Sequence, residues 1–308
     1  MTDAGRLKEQ AARASLAVAG FLVLLKLVAT LASGSAAVLS SLVDSMADIA
    51  ASGVTWLAVR IAHQPPDRRH RFGHGKAESL AALGLAALVS GSALFVVLEA
   101  ARRFFEPEPL RAGTLALLVM AASILATAGL VAFQGYVIRR TGSQAIAADR
   151  LHYLTDFLSN AAVLGSLVAV ERWGLLWADP LVAVAVAGSL LIASWRIGRR
   201  SVDTLMDHEL PSAERARIEA IVRAHPEVEN LHDLRTREAA GVRFIEFHIE
   251  LDGSMTLRAA HQVTEAIERE LRAAFPEAEI IIHQEPVGVE DARLDHRIAA
   301  RARSVRSA

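Results

Sequence analysis

Four side chains stand out by type and spacing in an otherwise apolar sequence. Asp44 and Asp48 are four positions apart, as are His152 and Asp156. On a helix this spacing puts both members of a pair on one face, about one turn apart. Two such helices facing each other bring three carboxylates and one imidazole together. That set suits zinc, which takes four tetrahedral ligands, with nitrogen and oxygen at about 2.0–2.2 Å. The plainer alternative is that the acids line a wet cavity, or pair with Lys26, Arg150 or backbone donors. Asp149 and Arg150, one turn nearer the expected cytoplasmic end of the same helix, are read as structural, lying at the interface or paired with each other. The chain has no cysteine, so any metal must be held by nitrogen and oxygen rather than thiolate.

The elements that must position these residues are membrane helices. The chain has 308 residues, 53% of them hydrophobic, and a mean hydropathy of +0.32, too apolar for an ordinary soluble protein. A spanning helix needs roughly 20 mostly apolar residues. Residues 80–98 and 112–138 carry no charge, residues 15–33 contain only Lys26, and residues 180–195 are uncharged and extend backward through Trp173 and Trp177. Residues 36–62 and 143–170 have the same texture but hold the acids and histidine. We therefore expect six spans, at about 15–33, 36–62, 79–103, 112–138, 143–170 and 177–197, in a transmembrane domain of residues 1–207. A charge at membrane depth costs about 2.5–3.5 kcal/mol and usually marks an ion pathway, which favours the cation site over the plainer alternative. The start MTDAGRLKEQ lacks the pattern of a cleaved signal peptide.

Lys and Arg in the short loops set orientation. Arg6, Lys8, Arg13, Arg60, Arg68, Arg69, Arg71, Lys76, Arg139, Arg140, Arg196, Arg199 and Arg200 fall on one side, against Arg102, Arg103, Arg111 and Arg172 on the other. Both termini are thus expected to be cytoplasmic. The net charge of -1 gives no support to nucleic-acid binding.

After about residue 205 charges become frequent and apolar positions periodic. A helix from Pro211 to about 224, strands at Val228–Arg237 and Val242–Leu251, a helix at Thr256–Phe275 and a strand at 279–283 are expected. This order makes a small α+β domain over residues 208–290, large enough to fold alone. Residues 291–308 form an Arg- and Ala-rich tail, expected to be weakly ordered, associated with the membrane surface, or a solvated helix.

The segments SLVDSMADIAAS, QPPDRRHRFGHGKAESLAAL, LHYLTDFLSNAAVL, HDLRTR, RFIEFHIEL and IIHQEP, spread over nearly the whole chain, resemble the cation diffusion facilitator family, in particular its bacterial ferrous-iron and zinc efflux branch. The resemblance implies a homodimer in the bacterial inner membrane, each chain an α-helical membrane protein with six transmembrane helices and a C-terminal α+β, metallochaperone-like (ferredoxin-like) cytoplasmic domain. It implies a transport site of Asp44, Asp48, His152 and Asp156, and a second site in the loop at Asp67, His70 and His74. It further implies a charge pair of Lys76 with Asp207, and a cytoplasmic site of His232, His248, His261, His283, Gln284 and Glu285. The family's bridging acid at the last position is Asp. The longer Glu285 displaces the carboxylate, which bears on two-metal bridging more than on single-ion binding.

The implied activity is efflux of zinc, with cadmium and ferrous iron as alternatives, by alternating access in exchange for protons, with cytoplasmic metal as regulator. Imidazole favours zinc over harder cations such as manganese. Four protein ligands leave no open metal position, and no HExxH is present, so an enzyme is not expected. A membrane-anchored metal sensor is the remaining rival, and it leaves the acids within the membrane unexplained.

Overall fold

The computed structural model describes residues 3–33, 36–105, 114–173, 178–239, 241–288 and 293–306. The chain divides into two compact units, Met1–Leu205 and Met206–Ala308.

Among the described residues the first unit holds six long helices: α1 (Asp3–Ser33), α2 (Ala36–Ala62), α3 (Lys76–Phe105), α4 (Thr114–Thr141), α5 (Gln144–Trp173) and α6 (Ala178–Leu205). Five stretches among the described residues are long and apolar enough to cross a membrane: Asp3–Ala32, Ser41–Ala62, Lys76–Arg102, Leu117–Thr141 and Leu181–Leu205. Six were expected. The exception is α5, whose early turns carry Asp149, Arg150, His152 and Asp156 and whose apolar second half falls largely outside the described side chains. The expected starts of the fourth and sixth spans, with Arg111 and Trp177, lie outside the described residues, as do the side chains of Arg103, Arg172 and Trp173.

Large apolar side chains point outward from these helices, among them Leu24, Leu31, Phe95 and Leu125. In water so much exposed apolar surface would be costly, whereas hydrocarbon accepts it. The interior is built from small residues. On α3, Ala82, Ala86 and Ala93 are buried, and Gly198 of α6 lies against Ala86. Close backbones let hydroxyls cross between helices: Ser194 Oγ donates to Ala86 O at 2.5 Å and lies 2.6 Å from Ser90 Oγ. This is how helices associate where no hydrophobic force separates protein from solvent. Helices α3 and α6 pair with each other, while α1 packs on α2 and α4, and α4 on α5. Helix α4 ends with Arg139 and Arg140 in its last turn, which complement the helix dipole, and Gly142 at φ +63° closes it by donating to Ile138 O at 2.8 Å.

The second unit runs α7 (Ser212–Arg223), β1 (Asn230–Ala239), β2 (Val242–Leu251), α8 (Leu257–Ala274), β3 (Glu279–Pro286) and α9 (Leu294–Arg306). The sheet order is β1-β2-β3, antiparallel between β1 and β2 and parallel between β2 and β3. Gly241, at φ +94°, lies in the tight connection between β1 and β2, a backbone geometry that a β-carbon would strain. Strand alternation sends Ile245, Phe247, Ile249 and Leu251 of β2 to one face, where Ile218 and Val222 of α7 and Ile267 and Leu271 of α8 complete the core. Helix α8 starts at Thr256, whose side chain accepts from Ala259 N at 3.2 Å.

The C-terminal tail contains a helix tied to the sheet. Asp233, at φ +52° beside an irregularity in the β1 register, caps α9 by accepting from Leu294 N at 2.7 Å and Asp295 N at 2.9 Å. Asp295 returns the bond, accepting from Asp233 N at 2.9 Å. This pairing lies beyond the reach of composition, which could only leave the tail between weak order and a free helix.

Candidate metal centres

Three groups of metal-ligating side chains assemble among the described residues, each with its donor atoms within 4.8 Å of one another: Asp48, His152 and Asp156; Asp67, His70 and His74; and His232, His248 and Glu285.

The first joins α2 to α5. His152 Nε2 lies 3.0 Å from Asp48 Oδ1, and Asp156 sits one turn further along α5. Asp48 is buried and His152 is nearly so. Asp44, one turn before Asp48, is exposed and stands outside the group. The acids are not consumed by the partners that the plainer alternative proposed. Lys26 Nζ donates instead to Ser41 O at 3.1 Å and Ser45 Oγ at 2.6 Å, and Arg150 Nε donates to Val131 O at 3.0 Å. Asp149 is likewise not paired with Arg150, nor at an interface with water. It is fully buried, with hydrogen bonds from Ser15, Thr55 and Gln134.

The second group lies in the loop between α2 and α3. Asp67 Oδ1 accepts from Arg69 N at 2.7 Å and His70 N at 2.6 Å, a local turn that fixes its carboxylate. These two backbone donors hold the Asp67 carboxyl below its ordinary range. His70 Nδ1 lies 3.3 Å from Asp67, and His74 Nε2 lies 3.1 Å from His70 Nδ1. His74 Nδ1 is buried without a partner among the described residues.

The third group is set by strand register. His232 of β1 pairs with His248 of β2, which pairs with His283 of β3, so three imidazoles stand in one row across the sheet. Their ring centroids are 5.1 Å and 4.6 Å apart. Two residues on, side chains return to the same face, and Glu285 comes beside Glu250. The Glu285 carboxylate lies among all three rings: Oε1 is 2.8 Å from His248 Nδ1 and 3.4 Å from His283 Nε2, and Oε2 is 3.3 Å from His232 Nε2. His232 Nδ1 and Glu285 Oε2 are both buried without a hydrogen bond among the described residues. Buried polar atoms seldom go unsatisfied, and nitrogen and oxygen donors gathered in this way fit a divalent cation.

The side chains of two expected ligands stand outside this group. Gln284 faces α8, where its amide donates to Thr264 Oγ1. His261 is on α8, exposed and 3.5 Å from Glu265. Glu250 was not expected. It lies 3.5 Å from His232 Nδ1 and is held by Asn230 at 3.0 Å and Arg293 at 2.5 Å. The signal was available in the sequence, since Glu250 is two residues from His248 in an alternating strand. Lys76 and Asp207 fall in different units. Lys76 donates to Leu205 O at 3.3 Å within the first, and Asp207 lies 3.2 Å from Arg237 within the second.

A family model described as the cation efflux transmembrane domain matches residues 12–206, and one described as the cation efflux protein cytoplasmic domain matches residues 210–287. The chain is similar to the cation-efflux pump FieF of Cronobacter sakazakii, 43% identical over 287 residues, which are 93% of this chain and 95% of the relative. It is 45% identical over 280 residues to the FieF of Shewanella oneidensis, covering 91% of this chain and 94% of that one. Among solved structures, the metal-bound C-terminal domain of the CzcD transporter from Thermotoga maritima matches 27% of this chain and 100% of its own at 32% identity, with a TM-score of 0.25.

Proposed function

The chain belongs to the cation diffusion facilitator family of cation efflux proteins, and on that premise we propose that it exports zinc from the cytoplasm by proton antiport. It is a secondary transporter and not an enzyme, and cadmium or ferrous iron are the other cations its ligands accept. It works as a homodimer in the lipid of the bacterial inner membrane, with six spans and both termini cytoplasmic. The polar α5 is the remaining span, its charges turned into the bundle rather than to lipid. The second unit is a metallochaperone-like cytoplasmic domain.

One observation carries this reading: Asp48, His152 and Asp156 converge from two helices, with neither Lys26 nor Arg150 paired to them. Asp44 supplies the fourth ligand when a cation draws it in. Metal binds only the deprotonated ligands, so protonation on the acidic outer side releases it and metal on the cytoplasmic side displaces protons. His152 is the natural carrier, because an imidazole titrates near pH 6.5 when unperturbed. Alternating access moves this one site between the two sides.

Asp67, His70 and His74 form a second cation site in the α2–α3 loop. His232, His248, His283 and Glu285 hold zinc as a regulator, with Glu250 beside them. Bound metal there favours the state in which the two cytoplasmic domains of the dimer approach, which requires a difference in zinc affinity between states.

The test is zinc uptake into proteoliposomes under an imposed pH gradient. Gradient-dependent flux in the wild type, lost in Asp48→Ala and only reduced in His232→Ala, is the expected outcome. Equal flux in the wild type and Asp48→Ala would overturn the transport site and favour a metal sensor.

A further inference from the structure

Asp149 is, among the described residues, the most deeply buried carboxylate of the helix bundle that the transport site does not use, and four helices meet at it. Its Oδ2 accepts from Ser15 Oγ of α1 at 2.6 Å and from Gln134 Nε2 of α4 at 2.7 Å, while Thr55 Oγ1 of α2 lies 3.3 Å from Oδ1. All three donors are neutral, and no Lys or Arg pairs with it among the described residues. The titratable groups in the same neighbourhood, among the described residues, are Tyr153, His152 and Asp156 on α5 itself and Asp48 on α2. Arg150 turns away to Val131 O.

The partners of this carboxylate are built for two arrangements of protons. Ser15 Oγ lies within reach of two acceptors, Asp149 Oδ2 and Ala11 O, the latter at 3.1 Å. Thr55 Oγ1 has the same choice between Asp149 Oδ1 and Ala51 O, each at 3.3 Å. When Asp149 is ionised, both hydroxyls and the Gln134 amide donate to it. When it is protonated, its own O–H donates to Ser15 Oγ, and the two hydroxyls turn back to the carbonyls of their own helices. Gln134 Nε2, also 2.9 Å from Ser15 Oγ, serves either arrangement. Gln134 Oε1 is buried without a partner among the described residues, so a half-turn of the amide supplies a further acceptor for the added proton. A purely structural pin needs only one satisfied arrangement, and this one has two.

We propose that Asp149 is a second proton-binding carboxyl of the transport cycle, emptied when a divalent cation occupies Asp48, His152 and Asp156. The proposal rests on the antiport reading above. Asp149 lies one helical turn from His152, close enough in a low-dielectric interior for a cation at one to act on the charge of the other. Cation entry then favours the carboxylate and expels its proton to water. Proton return favours cation release, since such coupling is reciprocal.

The experiment is infrared difference spectroscopy of the full-length chain in liposomes, across pH and on addition of zinc, with zinc flux measured in the same preparation. The carbonyl stretch of a neutral carboxyl group should grow on acidification and fall when zinc is added, and the Asp149 share of it should vanish in Asp149→Asn. Ser15→Ala removes a donor to the ionised form, so the midpoint of that band should move to higher pH by about one unit. An unchanged band and zinc response in Asp149→Asn would overturn the proposal. If Asp149→Asn does not assemble, an unmoved midpoint in Ser15→Ala would overturn it instead. Zinc flux in the wild type that ignores the pH gradient would sink antiport itself, a separate result from the behaviour of the band.

Discussion

At the scale of single residues, Glu285 is the most informative. Its two oxygens face different imidazoles, Oε1 toward His248 and His283 and Oε2 toward His232, so its carboxylate reaches the whole row. Glu285→Asp should retract it and weaken zinc binding at this domain by about tenfold, the scale set by loss of one supporting ligand contact. Calorimetry on the intact protein would detect the change, and unchanged affinity would place the ion elsewhere. Gln284→Ala should leave that affinity within about twofold, because its side chain is engaged with Thr264 on the other face. The spacing of Asp48, His152 and Asp156 was legible in the sequence because helical periodicity is strict. The side-chain directions of His261 and Gln284 were not, because resemblance supplies residue types without saying which way each side chain turns on its helix or strand.

At the scale of elements, the six helices of the first unit and the helix-strand-strand-helix-strand order of the second were readable from apolar runs and alternation. Helix α9 was not, because what fixes it is a cap from a residue remote in sequence. Asp233→Ala removes the acceptor for Leu294 N and Asp295 N and should destabilise the docked helix by about 1 kcal/mol, the usual worth of such a cap. Amide hydrogen exchange confined to residues 293–306 would report it, and unchanged exchange would contradict the capping role. This contact also depends on pH. Burial works against the Asp233 carboxylate, but the backbone N–H groups of Asp295 and Leu294 prevail and hold its carboxyl below the usual range. A depressed folded value means the contribution is complete above the ordinary aspartate range and is lost as pH falls through the depressed value. Docking of α9 should therefore loosen only in strong acid. Packing of α3 on α6 rests on small residues, so Gly198→Leu, set against Ala86, should force the pair apart and lower the melting temperature by several degrees.

At the scale of the whole molecule, the chain combines a membrane unit whose acids converge and a second unit whose histidines converge, each inside its own compact body. Their separation makes the roles separable by experiment. Variants of Asp48 should abolish flux while leaving zinc binding by the second unit intact. Variants of His232 should do the reverse in part, retaining flux but blunting its dependence on cytoplasmic zinc. Fluorescence energy transfer between the second units of a labelled dimer should rise with zinc in the wild type and stay flat in His232→Ala. A rise in both would remove the regulatory role. Composition made the division visible, but the identity of the cation depends on small differences in ligand preference that no count of residues resolves.

The row of His232, His248 and His283 exists only because three strands meet in one alignment. A slip of any strand by one residue turns its imidazole to the opposite face and dissolves the row. If zinc binds there as proposed, it would favour the chain whose strands have found their correct partners over misaligned forms. Refolding in the presence of a chelator should leave more misaligned species than refolding with zinc, and equal amounts would contradict the idea.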